Sequence, residues 1–187
     1  MSATGFEPLP KPRFQVVSDC GVENIVIPAA RNWFILLFIP VWLTGWTFGG
    51  IAAMHDLVFG AGGAFLAVWL AFWLVGWLFA ASWLGWNISG QETLSIEGGA
   101  LVRGWKLLGL GLTKRYELAQ VSGLTSGTPP FPYGIMKVSY PPFFPMTFGP
   151  LKWNYGAATV YAAAGLSEAE AAMIVDRLSA RMPAKIR

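Results

Sequence analysis

The chain has 187 residues, of which 55% are hydrophobic and only 12% charged, a balance that excludes an ordinary water-soluble domain and places the chain among membrane proteins. A net charge of +3 is too small an excess to indicate nucleic acid, and no aromatic-basic binding motif accompanies it. Cys20 is the single cysteine and His55 the single histidine, which permits neither an internal disulfide nor a Cys/His zinc site.

Residues 1–31 lack the apolar core and small-residue cleavage site of a signal peptide, so they read as a cytoplasmic segment able to contribute a strand. Residues 32–54, NWFILLFIPVWLTGWTFGGIAAM, carry no charge and would extend roughly 34 Å as a helix at ~1.5 Å per residue, enough to cross a hydrocarbon core of ~30 Å. Pro40 removes one backbone donor inside this span and is expected to kink it. Gly45 and Gly49 form a small-residue pair that permits close helix approach, and Gly76 with Ala80 form another. The connecting HDLVFGAGG carries Gly60, Gly62 and Gly63 and reads as a short turn. Residues 64–86, AFLAVWLAFWLVGWLFAASWLGW, make a second span, so residues 32–86 form a transmembrane hairpin. Lys11, Arg13 and Arg31 precede it, Arg103, Lys106, Lys114 and Arg115 follow it, and the connecting loop has no Lys or Arg; both termini are expected in the cytoplasm.

The tryptophans divide by depth. Trp33, Trp83 and Trp86 sit near span ends, where amphipathic rings at headgroup level are expected. Trp69, Trp73 and Trp77 lie one turn apart on one face in mid-span, and Trp42 with Trp46 make a similar pair on the first helix. Three readings stay open: a docking face for a membrane partner, rings that face lipid or fill the hairpin's own seam, and packing against a flat pigment or quinone held by a partner.

From residue 87 the composition alternates, and residues 87–187 read as a cytoplasmic β domain. ETLSIE, Gly98-Gly99 and ALVRGWK give strand, two-residue turn and strand. Further strands are expected at TKRYEL, QVSGLTS, GIMKVSY, MTFGPLKWNY and ATVYAAA, the spacing of a small antiparallel sandwich or barrel. A helix over residues 167–182 follows: Ser167 and Glu170 form a capping box, Leu166 can staple the entry, and Ala171, Ile174, Val175, Leu178 and Met182 share one face that should cover an open end of the sheet. The segment 127–150 holds more than half of the 13 prolines together with Phe131, Tyr133, Phe143 and Phe144. It suits either a membrane surface or partner groove, or a loop folded back on its own sandwich.

Two spans, the stretch ETLSIEGGALVRGWKLLGLGLTKRYELAQVSGL and the ending WNYGAATVYAAAGLSEAEAAMIVDRLSARM resemble the bacterial membrane-anchored proteins that carry a pleckstrin-homology-like domain. The resemblance covers roughly residues 24–182. It implies an integral membrane α+β fold, a two-helix hairpin followed by an antiparallel β-sandwich or barrel capped by a C-terminal helix, located in the bacterial inner membrane. It implies no general enzymatic activity, and no functional residues transfer with it.

The residues offer little to catalysis. His55 beside Asp56 reads as a turn residue at the far membrane face, the alternative being a metal ligand for a partner's pigment or haem. The spans lack ionisable groups for a proton or ion path, and GLGL at 109–112 lacks the Lys-Ser/Thr of a phosphate loop. The reading that best fits is a non-catalytic accessory subunit or assembly factor of a larger membrane protein complex, an energy-transducing one being a candidate. Trp42, Trp46, Trp69, Trp73, Trp77, Phe131, Tyr133, Phe143 and Phe144 are its candidate docking residues. No intrinsic cofactor or metal is expected, whereas bound lipid is, and a pigment or quinone could be touched through a partner. The alternative is a lipid-binding or self-associating scaffold that forms a homo-oligomer.

Overall fold

Among the described residues eight strands and three α-helices follow one another as β1 (Gln15–Asp19), β2 (Val22–Pro28), α1 (Trp33–Phe59), α2 (Ala64–Ser89), β3 (Gln91–Glu97), β4 (Ala100–Leu107), β5 (Leu110–Glu117), β6 (Val121–Ser126), β7 (Leu151–Tyr155), β8 (Ala158–Ala162) and α3 (Glu168–Arg181) in a computed structural model. It describes residues 11–19, 21–60, 62–128 and 148–182. Cys20, the expected strand GIMKVSY, and Phe131, Tyr133, Phe143 and Phe144 lie outside the described residues.

Both long helices are apolar all round, with 27 and 26 residues, and each is long and apolar enough to cross a membrane. The α1 helix starts where Asn32 caps it, its side chain accepting from the backbone N–H groups of Phe34 and Ile35 at 2.9 and 3.4 Å. It runs through Pro40 and continues beyond the expected residue 54. His55 and Asp56 therefore belong to its last turns rather than to a loop. The helix ends at Gly60, and the connection shrinks to residues 60–63.

The β domain differs from the expected contiguous block after the spans. Strands β1 and β2, which precede α1, join the five-stranded antiparallel sheet β1-β2-β3-β4-β5, and β6-β7-β8 form a second, three-stranded sheet. Strand β2 pairs with β3 in a register that sets Ile25 against Leu94 and Pro28 against Gln91, so the helical hairpin is an insertion between neighbouring strands. The sequence reading allowed residues 1–31 a strand but placed none, because VENIVIP is too short for its period to be distinguished from a buried loop.

Phe14, Ile25, Ile27, Leu94, Leu101 and Tyr116 from the first sheet meet Val121, Leu151, Trp153 and Ala162 from the second in one core. Helix α3 closes it with Ala171, Ile174 and Leu178, packing chiefly on β6 and also on β7 and β3. Its capping box forms as read: the Ser167 hydroxyl accepts from the Glu170 N–H, and the Glu170 carboxylate accepts from the Ser167 N–H.

The same carboxylate holds the N-terminal segment. Glu170 accepts from the Arg13 N–H at 2.8 Å, and the Arg13 guanidinium lies 3.5 Å away while also donating to the Gly165 carbonyl. Farther along, Glu23 of β2 pairs with Arg177 at 2.7 Å and with Arg181. Partial burial alone would raise the Glu170 carboxyl. The hydrogen bonds from Ser167 and Arg13 and the nearby guanidinium outweigh it and hold the group at about 2, against an ordinary 4.5.

A depressed carboxyl contributes stability that is complete above its unfolded value and is lost as pH falls through the folded one. Thermal midpoints of the wild type should therefore decline between about pH 5 and pH 2, with on the order of 2 kcal/mol from this group. Glu170→Gln is expected to melt lower at pH 7, to converge with the wild type near pH 2, and to show a flatter acid profile. Equal midpoints at pH 7 would contradict the assignment.

Candidate functional site

The two helices lie against each other along a seam that differs between its halves. Near the β domain, Ile35, Ile39 and Leu43 of α1 pack with Ala80 of α2, and Trp77, Ala81, Trp83 and Leu84 lie against them. Farther out, rings of one helix sit on glycines of the other. The Trp73 ring covers Gly50 so closely that a Cβ there would come within 2.3 Å of it, and the Trp46 ring covers Gly76 at 3.2 Å from the corresponding position. Trp46 and Trp73 also touch each other, with centroids 5.6 Å apart. The Trp77 indole N–H donates to the Thr47 hydroxyl at 2.9 Å, and that hydroxyl donates to the Leu43 carbonyl at 2.8 Å. Each hydrogen bond of this kind in a membrane is worth ~0.6 kcal/mol on average.

The expected tryptophan face is thus divided. Trp46, Trp73 and Trp77 turn into the seam, which was one of the readings left open. Trp42 packs against Trp46 with tilted rings 4.0 Å apart at their centres and stays 37% exposed, and Trp69 is 43% exposed. The small-residue pairs divide as well. Gly76 and Ala80 serve the hairpin, whereas Gly45 and Gly49 face outward, and a Cβ at either would meet nothing within 4 Å.

Beside the Trp73–Gly50 contact an apolar groove of about 520 Å³ runs between the helices, walled by Gly50, Ile51 and Met54 on α1 and by Ala67, Ala71 and Leu74 on α2. On its lining, Thr47 and the Trp77 N–H bond to each other. With the rest of the wall almost wholly apolar, the groove can hold hydrocarbon or apolar side chains. His55 lies outside it, its ring 5.0 Å from Phe59. Among the described residues no three of His, Cys, Asp and Glu come together as a metal site would require.

A second constellation lies in the β domain and was missed in the sequence. Arg103 was taken with the positive charges flanking the spans, but its side chain is buried and its Nε donates to Glu92 Oε1 at 2.6 Å. The other Glu92 oxygen accepts from the Ala163 N–H at 3.0 Å, and Arg103 donates to the Tyr161 carbonyl at 2.7 Å. The guanidinium lies 4.7 Å from the Trp105 ring centre and 5.9 Å from that of Trp153. A signal was present: Gly98-Gly99 fixes the hairpin register, which puts Glu92 opposite Trp105 and Arg103 opposite Leu94, on the same face as Leu101. Two opposite charges on a core-facing set of positions are unaffordable unless paired. With both carboxylate oxygens engaged and the side chains sealed from solvent, the pair joins the two sheets rather than serving as an acid or base.

No family model, curated protein or solved structure matches the chain.

Removing one member of the pair strands a buried charge. Arg103→Ala or Glu92→Ala should cost ~3–5 kcal/mol in denaturant unfolding, whereas the double variant Arg103→Met/Glu92→Leu should recover most of that loss. A single variant as stable as the wild type would show that the pair does not join the sheets. In the hairpin, Gly50→Leu should displace the Trp73 ring, visible as a faster loss of helicity on heating. Unchanged thermal loss of helicity would contradict the ring-on-glycine seam.

Proposed function

We propose that this protein is a non-catalytic accessory subunit or assembly factor of a larger membrane protein complex, anchored by the α1–α2 hairpin, with its β domain on the cytoplasmic face of a bacterial inner membrane. The observation that carries the proposal is the outward face of α1. The hairpin's self-contacts use Gly50, Gly76 and Ala80 and the rings of Trp46, Trp73 and Trp77, yet Gly45 and Gly49 stay open between exposed Val41, Trp42 and Phe48. Lipid supplies little hydrophobic drive between helices, so a small-residue groove beside exposed aromatics favours close backbone approach by another helix. Trp42 and Trp69 are the rings of the stripe free to contribute to such docking, and the interhelical groove suits a bound lipid tail or an apolar group held by the partner.

Topology supports the same placement. Because β2 and β3 flank the hairpin in sequence and pair with each other, both flanks must lie on one side of any membrane the hairpin crosses. All 13 Lys and Arg lie outside residues 33–89, which favours the cytoplasm as that side by the positive-inside rule. Two antiparallel sheets closed by a terminal helix are the layout that the resemblance to bacterial pleckstrin-homology-like membrane proteins implies, and we carry that family as part of the proposal.

Native purification in mild detergent followed by mass spectrometry tests the function. The wild type should co-purify with integral membrane subunits at fixed stoichiometry. Gly45→Leu/Gly49→Leu should stay in the membrane and lose them, since a leucine at either position holds a neighbouring helix backbone away. Retention of the partners at wild-type yield would remove the glycine face from the docking site. A pure homo-oligomer from the wild type would favour the self-associating scaffold instead.

A further inference from the structure

Strand directions decide which loops of the β domain lie beside the helices. Strand β3 leaves α2 at Gln91 and β4 returns to it at Leu107, so the β3–β4 turn is at the far end of the sheet and the β4–β5 turn at the end next to the hairpin. Both are two-residue turns with both central residues at positive φ, a geometry that favours Gly, Asn or Asp. The far turn satisfies this with Gly98 and Gly99, at φ 55° and 77°. The near turn has Leu108 at φ 50° before Gly109 at φ 85°. A leucine in the left-handed region costs on the order of 1 kcal/mol.

Among the described residues the near turn is also the most exposed apolar point of the β domain. Leu108, Leu110 and Leu112 are 72%, 80% and 68% exposed, Lys106 pairs with Gly111 beside them, and Lys114 lies farther along β5 with its ammonium 5.3 Å from the Tyr116 ring centre. Its position against α2 is fixed: Leu107 and Leu108 approach Gly85, and the Leu108 N–H donates to the Ser89 hydroxyl at 3.3 Å. Gly85 lies four residues, about 6 Å, before the end of α2. A helix of 26 residues is roughly 39 Å long, so its last turn reaches past a ~30 Å hydrocarbon core into the headgroup layer. A tip held at Gly85 is therefore level with the boundary between acyl chains and headgroups.

We propose that the β4–β5 hairpin is a third membrane-binding element, which inserts Leu108, Leu110 and Leu112 into the acyl-chain edge of the cytoplasmic leaflet while Lys106 meets anionic lipid phosphates. The proposal rests on the membrane-spanning reading of α1 and α2. Leucine is kept in a conformation that suits asparagine because its side chain is solvated by lipid rather than by water. The ligand is the lipid leaflet itself, held by apolar area and charge together, as for interfacial anchors in general.

The test uses the full chain with Cys20→Ser, reconstituted into vesicles of phosphatidylcholine and phosphatidylglycerol, with a bimane label on one introduced cysteine and lipids brominated at different depths. Labels are placed at Leu110→Cys in the tip, Phe72→Cys in α2 and Ala119→Cys at the far end of the domain. The expected result is quenching at Phe72 by deep bromines, at Leu110 by shallow acyl bromines, and none at Ala119. Quenching at Phe72 with none at Leu110 would overturn the inference and leave the spanning helices intact, whereas no quenching at Phe72 would overturn both. A Leu110 label unquenched in vesicles but shielded from aqueous reagents in native membranes would assign the tip to a protein partner, against the proposal. In detergent, Leu108→Asn should keep or raise the thermal midpoint; a fall of many degrees would make Leu108 a packing residue and refute its membrane role.

Discussion

The pairing of β2 with β3 is the constraint on which the rest depends. Pro28 is set against Gln91, and the Ala29 N–H donates to the Gly90 carbonyl at 2.9 Å, so a sheet closes across everything between them. Closing a flexible loop over residues 29–90 would carry a large entropic cost. The helical hairpin removes most of it, because two antiparallel helices joined by a short turn return the chain to where it left. Hairpin and sheet thereby support each other: the packing of Ile35, Ile39 and Leu43 along the seam brings Pro28 and Gln91 together, and the sheet holds the helix ends side by side.

The N-terminal strands bring a second requirement. An edge hairpin made of β1 and β2 alone would be marginal in water, and its attachment is reinforced from the other end of the chain by Arg13 on Glu170 and by Glu23 between Arg177 and Arg181. Within the sandwich, Glu92 and Arg103 span the same discontinuity differently, fastening the first sheet to the Tyr161 carbonyl and the Ala163 N–H where β8 ends. A pair that bonds to Tyr161 and Ala163 on the second sheet favours one register, so the ion pair defines position more than it adds net stability.

What the sequence made legible follows from the range of the signal. The two spans, the Gly98-Gly99 turn and the Ser167–Glu170 cap are local patterns, and each could be placed to within a few residues. The extension of α1 through His55 and Asp56 was not, because a charged pair beside glycines reads as a turn when no contacts are considered. The assignment of β1 and β2 to the later sheet is a contact across the whole hairpin, on which a short apolar run is silent. At the site, helical spacing grouped Trp69, Trp73 and Trp77 correctly on one face. Which part of that face turns into the seam depends on where Gly50, Gly76 and Thr47 of the neighbouring helix fall, and that is a property of the crossing, not of either helix. Arg103 illustrates the opposite failure: the register was readable, but a basic residue near a span was credited to orientation before its parity in the strand was counted.

The short connections give the architecture its functional consequence. Only Gly90 separates α2 from β3, and residues 29–32 separate β2 from α1, so two covalent links without slack join the domain to the hairpin. The Leu108–Ser89 and Leu107–Gly85 contacts add a further attachment along the last turns of α2. Short links braced in this way restrict orientation as well as distance, where a tethered domain would sample many poses. A partner that engages the Gly45–Gly49 face in the membrane would meet the β domain already in one orientation, and the ordering cost of binding both surfaces would largely have been met when the chain folded. That preorganisation suits a subunit that holds a complex in one geometry better than it suits a mobile lipid sensor, whose advantage lies in freedom to reorient.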